Sequence, residues 1–189
     1  MPLVGLKGER VRLVPPDRAL HLENALEWLN DPEVNAALKY NLGVTRRQEE
    51  VIFEKLETQR ETDFVWAILD DEERHIGFIG LHEINWRHRW ATGGLFIGAR
   101  SAWGRGYASD AVRIRTRFAF NQLGLHRIEG HTMNPAMKRV YEKCGYRHEG
   151  VARGKFWRDG RWEEADLYAI LSEDWFGARS EDRAFDLSP

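Results

Sequence analysis

From Glu9 to Val14 the chain alternates charged and apolar residues around Val11 and Leu13, and Pro15-Pro16 closes the run, which predicts a first strand. Asp17 is placed to cap a helix whose apolar positions are Leu20, Leu22, Leu26 and Leu29. Asn30-Asp31 break that helix, and Pro32 suits the first position of a short second one. Thr45 opens a long charged helix through Val51, Ile52 and Leu56 to about Glu61, with Gln48 and Glu49 placed for a capping box. An antiparallel run of strands follows: Phe64 to Leu69, Ile76 to Ile84 and Gly94 to Ala99. The acidic stretch Asp70-Asp71-Glu72-Glu73 makes the first turn.

Beyond Gly104 the period changes. Ala108, Ala111, Val112, Phe118, Ala119 and Leu123 recur at helical spacing until Gly124 ends the segment. His126 to Met133 reads as a strand, Pro135 to Lys143 as a short helix and Tyr146 to Arg153 as another strand. Asp159-Gly160 turns a hairpin into a last strand at about Glu164 to Leu171. The polar residues 176–189 read as a loose tail. The pattern predicts one α+β domain over residues 1–175, a mixed sheet with helices on its faces.

Composition narrows the function. A net charge of -2 gives no global pull toward nucleic acid or an anionic membrane, so an anion site must be local. Cys144 is the single cysteine, which excludes an intrachain disulfide and a cysteine-based zinc site and suits a reducing compartment. No apolar stretch approaches the length of a membrane span, and the expected location is the cytoplasm. His126, Glu129 and His131 do not suggest a metal, because their spacing sends the two histidines to opposite faces of a strand.

Trp103-Gly104-Arg105-Gly106-Tyr107-Ala108-Ser109 lies between a strand and a helix start. Alternate glycines let backbone N–H groups turn inward, the helix N-terminus adds a positive dipole end, and together they can cradle a phosphate. Arg100, Arg105, Arg113, Arg115 and Arg117 face one nearby acid, Asp110, which favours an anion. A Walker loop is excluded, because no Gly-Lys-Ser/Thr is present. A dinucleotide fingerprint is excluded too: Ser109 stands where a third Gly or an Ala is needed, and the turn follows antiparallel strands rather than opening the fold.

Trp103-x-x-Gly106-x-Ala108 resembles the pyrophosphate-binding signature of the GNAT N-acyltransferases, with Trp at a position where Gln or Arg is usual. Trp28-Leu29-Asn30-Asp31-Pro32-Glu33-Val34, Asn134 through Gly145-Tyr146, and Glu149-Gly150 resemble segments of the RimJ/RimL branch, the ribosomal-protein N-terminal acetyltransferases. The resemblance implies a mostly antiparallel, splayed sheet of about seven strands. Acetyl-CoA is then the co-substrate, with no metal, and its pantetheine arm lies along Phe96, Ile97 and Gly98. It places the pyrophosphate on Trp103 to Ser109, gives Asn134 a hydrogen bond to the pantetheine arm, and makes Tyr141 the general acid for the departing thiolate. Residue pattern alone also explains Asn134-Pro135 as a helix start and Tyr141 with Cys144 as core.

An ammonium cannot attack a thioester, so a base is required. Glu83 and His82 lie on the strand beside the cofactor strand, and alternation sends them to opposite faces; Glu83 is the first choice and the assignment stays open. Members of the family often carry Glu near position 92, where this chain has Thr92. Two basic-aromatic segments, Trp86 to Trp90 and Phe156 to Trp162, read as hairpin tips that form an acceptor wall or a homodimer contact rather than an RNA surface. The acceptor expected from the RimJ/RimL likeness is a peptide N-terminus. An amino sugar, polyamine or antibiotic amine is the alternative, and a non-catalytic acyl-CoA sensor is the reading from another class.

Overall fold

A computed structural model describes residues 5–36, 38, 43–58 and 61–179. Eight strands form one sheet: β1 (Leu6–Lys7), β2 (Arg12–Val14), β3 (Phe64–Leu69), β4 (His75–Asn85), β5 (Trp90–Ile97), β6 (Arg127–Thr132), β7 (Arg147–Arg158) and β8 (Arg161–Leu171), in the order β1-β2-β3-β4-β5-β6-β8-β7. Among these neighbours only β5 and β6 run parallel. The helices are α1 (Arg18–Leu29), α2 (Pro32–Ala36), α3 (Arg46–Thr58), α4 (Tyr107–Asn121), α5 (Pro135–Lys143) and α6 (Ser172–Ala178).

Local chemistry sets most boundaries. The Asp17 carboxylate accepts the Leu20 N–H and starts α1. Thr45 and Gln48 cap α3 reciprocally: Thr45 N–H donates to Gln48 Oε1 at 2.9 Å, and Gln48 N–H donates to Thr45 Oγ1 at 3.3 Å. Glu49, the other residue expected there, is buried instead, which pushes its carboxyl pKa up. Phe64–Leu69 and Pro135–Lys143 have the ends their sequence predicts. The first strand is shorter than expected, because the Asp110 carboxylate accepts the N–H groups of both Arg10 and Val11 and holds them as a turn between β1 and β2. Residues 176–178, expected to belong to a loose tail, are helical. Helix α6 runs through Ala178 with Trp175 buried, and residues 180–189 lie outside the described residues.

The sheet is covered on both faces. On one, α4, α5 and α6 enclose Leu13, Ile79, Ile128, Ile170 and Trp175; on the other, α1, α2 and α3 enclose Val14, Leu22, Val34, Phe53 and Ala67. Each of these large side chains contributes about 1.5–3 kcal/mol by leaving water. The second core reaches β5 through Trp28, whose ring fills the place where a side chain at residue 98 would sit, so Gly98 lets α1 close onto the end of β5.

Candidate active site

The parallel pair β5–β6 is short. Trp90, Ala91 and Thr92 align with Arg127, Ile128 and Glu129, and there the pairing stops. Gly93 and Gly130 are the next residues on each strand, and from that rung β5 and β6 separate. Gly98 N–H donates to the Ile76 carbonyl at 2.9 Å, so the alternation of the β4–β5 ladder turns the Phe96 N–H toward β4 as well. The N–H groups of Leu95 and Ile97 therefore face the gap, while the Gly93 N–H belongs to the last parallel bridge, between Thr92 and Glu129. Of the expected trio Phe96, Ile97 and Gly98, it is Ile97 that presents its backbone to the opening, and its carbonyl accepts Trp103 Nε1–H at 2.8 Å.

Two side chains converge on the rung from the α4 face. The guanidinium of Arg115 packs under Gly93, where an added Cβ would sit 2.7 Å from its Nη1. Arg115 has no solvent exposure, donates to the carbonyls of Gly80 and Gly94 at 3.4 and 3.3 Å and to the Tyr146 hydroxyl at 3.0 Å, and leaves Nε without a partner. No Asp or Glu pairs with it among the described residues. Beside it the Tyr141 hydroxyl fills the space under Gly130 that a Cβ would need. The Tyr141 ring is held between Tyr168 and Tyr146 at 5.2 and 5.0 Å. Burial pushes the Tyr141 pKa up to about 12, against the opposing charge of Arg115, so the hydroxyl stays protonated.

The opposite face carries His82, Thr92 and Glu129, which the register sets in one row. The His82 ring lies over Gly80 and Gly94, with Nε2 2.7 and 3.1 Å from where their Cβ atoms would be, and Nδ1 is 2.9 Å from Asp63 Oδ1. Glu83 does not obey the alternation expected of a regular strand. It sits in a bulge with φ of 54°, and its carboxylate accepts the Thr92 hydroxyl at 3.0 Å, which brings it to the same side as His82. The β7–β8 hairpin borders this face: Phe156 stacks on His131, and Arg158 donates to the carbonyls of Asn35 and Leu38.

At the other end of β5 lies the glycine turn. Gly104 and Gly106 have φ of 72° and 86°, a left-handed conformation that glycine adopts without strain. Gly106 is the N-cap of α4 and offers no side chain to it, so the N–H groups of Tyr107, Ala108 and Ser109 point out of the helix start. The Tyr107 side chain turns away from the turn and donates to Asp71 at 3.0 Å. Of the five arginines expected around an anion, only Arg105 stands at the turn. Arg100 pairs with Glu33 and Asp31, Arg115 is buried under β5, and Arg113 and Arg117 line a separate cleft with Lys7 and Trp175. Arg10 replaces them: its Nη1 donates to the Arg105 carbonyl at 2.6 Å, and both guanidiniums lie over the Tyr107 ring. Asn134 caps α5, its Oδ1 accepting Ala136 N–H at 2.9 Å.

The profile of the Acetyltransferase (GNAT) domain matches residues 10–147. The chain belongs to the GNAT acetyltransferase family. Among its relatives are a probable N-acetyltransferase of Bacillus subtilis, YjcK, 38% identical over 127 residues covering 64% of this chain and 67% of that one. A spermidine N(1)-acetyltransferase of Vibrio cholerae is 31% identical over 135 residues, covering 70% and 76%. In fold, the chain is similar to the crystal structure of a spermidine N-acetyltransferase from Vibrio cholerae in complex with CoA and spermine, with a TM-score of 0.81 at 24% identity over 88% of this chain and 98% of the other.

A GNAT acetyltransferase takes its acyl group from acetyl-CoA, and the residues here fit that donor. The turn offers unpaired N–H groups and two arginines to a pyrophosphate, and the gap between β5 and β6 offers strand N–H groups to an extended amide arm. Of the residues expected from the sequence, Gly104, Arg105 and Gly106 lie at the turn, Ile97 on the edge of the gap, Asn134 at the start of α5 and Tyr141 beneath Gly130. Two partners were not legible there: Arg10, 95 positions from Arg105, and Asp63, which the fold brings to 2.9 Å from the expected base candidate His82. Cys144 is buried and its thiol donates to the Ser109 carbonyl at 3.4 Å; burial pushes its pKa up, as befits a core residue. Among the described residues no cluster of His, Cys, Asp and Glu is arranged to hold a metal ion, and no helix is long and apolar enough to cross a membrane.

Proposed function

We propose that the chain acetylates a primary amine of a small polycation of the polyamine type, by direct attack in a ternary complex with acetyl-CoA. The observation that carries this reading is the pair of carboxylates on the acceptor face. Asp63 and Glu83 flank His82 at the closed end of the gap, and among the described residues neither pairs with a Lys or Arg. Glu129 continues the row on β6. Such a face attracts an ammonium-bearing chain and orients it toward the rung where the strands part. The 31% identity to a spermidine N(1)-acetyltransferase supports the same class.

A peptide N-terminus was expected from the Trp28–Val34 segment, but that segment is occupied with structure. Trp28 packs on Gly98, Asn30 Nδ2 and Oδ1 bond the Val44 carbonyl and N–H, and Glu33 pairs with Arg100. Its likeness to the RimJ/RimL branch therefore informs about the fold rather than the acceptor.

In the reaction, the N–H groups of Gly106 to Ser109, with Arg105 and Arg10, hold the pyrophosphate. The N–H groups of Leu95 and Ile97 and the Asn134 amide hold the arm. Tyr141 gives its proton to the departing thiolate, and the unpaired charge of Arg115 lowers the cost of negative charge at that rung. Steady-state kinetics with acetyl-CoA and a panel of spermidine, an amino sugar and a peptide with a free N-terminus test the reading. The expected result is the highest kcat/KM with spermidine; acetylation confined to the peptide would sink the polyamine assignment.

A further inference from the structure

We propose that His82, oriented by Asp63, is the base that takes the proton from the acceptor ammonium. This rests on the amine acetyltransferase reading above and assigns the one role it leaves vacant. Three observations converge. The short contact between Nδ1 and Asp63 Oδ1 fixes the tautomer: Nδ1–H donates to the carboxylate and Nε2 keeps its lone pair. Gly80 and Gly94 pair in register two rungs beyond His82 and Thr92, on the same face, and because neither has a Cβ the ring lies down across them. That direction carries Nε2 along β5 to the residues where β6 has ceased to pair, on the face opposite Tyr141.

Glu83 has the weaker claim. Its carboxylate is exposed and accepts the Thr92 hydroxyl, and no glycine platform directs it to the gap. The charged groups facing His82 are Asp63 on the segment entering β3, Glu83 beside it, and, in its row on β6, Glu129, which is paired with Arg127 on the same face; Arg115 lies beneath the same two glycines on the other face.

The protons balance across the two faces. His82 Nε2 takes one proton from the ammonium, and the freed lone pair forms the C–N bond to the thioester carbon. The C–S bond breaks with its electron pair on sulfur, which takes the Tyr141 proton. The new amide nitrogen sheds its remaining excess proton to solvent, from which Tyr141 is reprotonated, and His82 releases its own, so one proton leaves per turnover.

The test compares wild type, His82→Gln and Asp63→Asn on whichever aliphatic amine the wild type acetylates best, and on a hydrazide, whose attacking nitrogen is uncharged at neutral pH and needs no base. For the aliphatic amine, His82→Gln is expected to lower kcat/KM by about 10²–10³ and to abolish the acid limb of its pH profile, while Asp63→Asn lowers it by about tenfold and moves that limb. For the hydrazide, His82→Gln is expected to stay within about threefold of wild type, with CoA affinity and melting temperature unchanged. Equal losses on both acceptors, or an unchanged pH profile in His82→Gln, overturn the base assignment while wild-type turnover upholds the enzyme reading. Absence of aliphatic amine turnover by the wild type overturns both.

Discussion

Removing the Tyr141 hydroxyl separates its two readings, catalyst and core residue. Tyr141→Phe keeps the ring that packs between Tyr146 and Tyr168, and the hydroxyl it deletes occupies the space beneath Gly130. Packing is therefore preserved, and stability should change by less than about 1 kcal/mol, a melting shift within about 2–4 °C for a chain of this size. Loss of a positioned general acid lowers kcat by roughly 10²–10⁴, or about 3–5 kcal/mol at the transition state. CoA affinity, set by the glycine turn and the strand N–H groups, should hold. Because the phenol is raised to about 12 by burial, wild-type kcat should show no loss from Tyr141 ionisation up to pH 9. Gly130→Ala is the companion variant: its Cβ claims the hydroxyl's place, so kcat should fall even though Tyr141 remains, with a destabilisation of about 1–3 kcal/mol from overpacking. Turnover, calorimetric CoA binding and melting are measured on each protein. A folded Tyr141→Phe enzyme turning over within a few-fold of wild type would remove the hydroxyl from the mechanism.

Arg10→Ala and Arg105→Ala should each weaken CoA by about 10-fold or more without changing affinity for an acyl-pantetheine that lacks the pyrophosphate, as read by calorimetry. Glu83→Gln should raise KM for spermidine about 3–10-fold at constant kcat, whereas a fall in kcat with unchanged KM would return Glu83 to the chemistry. Acid should destabilise the fold through His75, which is held neutral by burial and by its neighbour His21 against the opposing hydrogen bond to the Gly77 carbonyl. Burial lowers its pKa from 6.5 to about 3, so the unfolded chain binds the extra proton and stability falls as pH drops below about 6.5. The slope approaches 1.4 kcal/mol per pH unit, roughly 2 kcal/mol lost by pH 5 and several by pH 3. Melting curves of wild type and His75→Gln across that range should show the slope flatten in the variant.

The sequence carried the elements and the cofactor turn because those depend on near neighbours. Asp17, Thr45 with Gln48, and Asn134-Pro135 announce helix starts within four residues of themselves, and Gly104-x-Gly106 announces a turn. The acceptor face was not legible for a physical reason. One left-handed residue at Glu83 breaks the two-residue period from which the facing of His82 and Glu83 was read. Strand orientation misled in the same way: Phe96, Ile97 and Gly98 looked equivalent as a run, but peptide alternation gives the gap only every second N–H. Arg115 looked like part of a basic helix face near a phosphate. Its place in the helix put it instead on the buried side, beneath Gly93, the glycine that β5 presents to that face.

The account turns on the rung of Gly93 and Gly130 as the place of acyl transfer. A crystal structure with a bisubstrate conjugate, in which an acetyl bridge joins the sulfur of CoA to a spermidine nitrogen, examines it directly. The predicted result puts the pyrophosphate on Gly104 to Ser109, the sulfur within hydrogen-bond distance of the Tyr141 hydroxyl, and the bridged nitrogen on the His82 side of the sheet with the polyamine chain against Asp63 and Glu83. A sulfur bound away from Tyr141, or a polyamine chain leaving by the α4 face, would contradict the account.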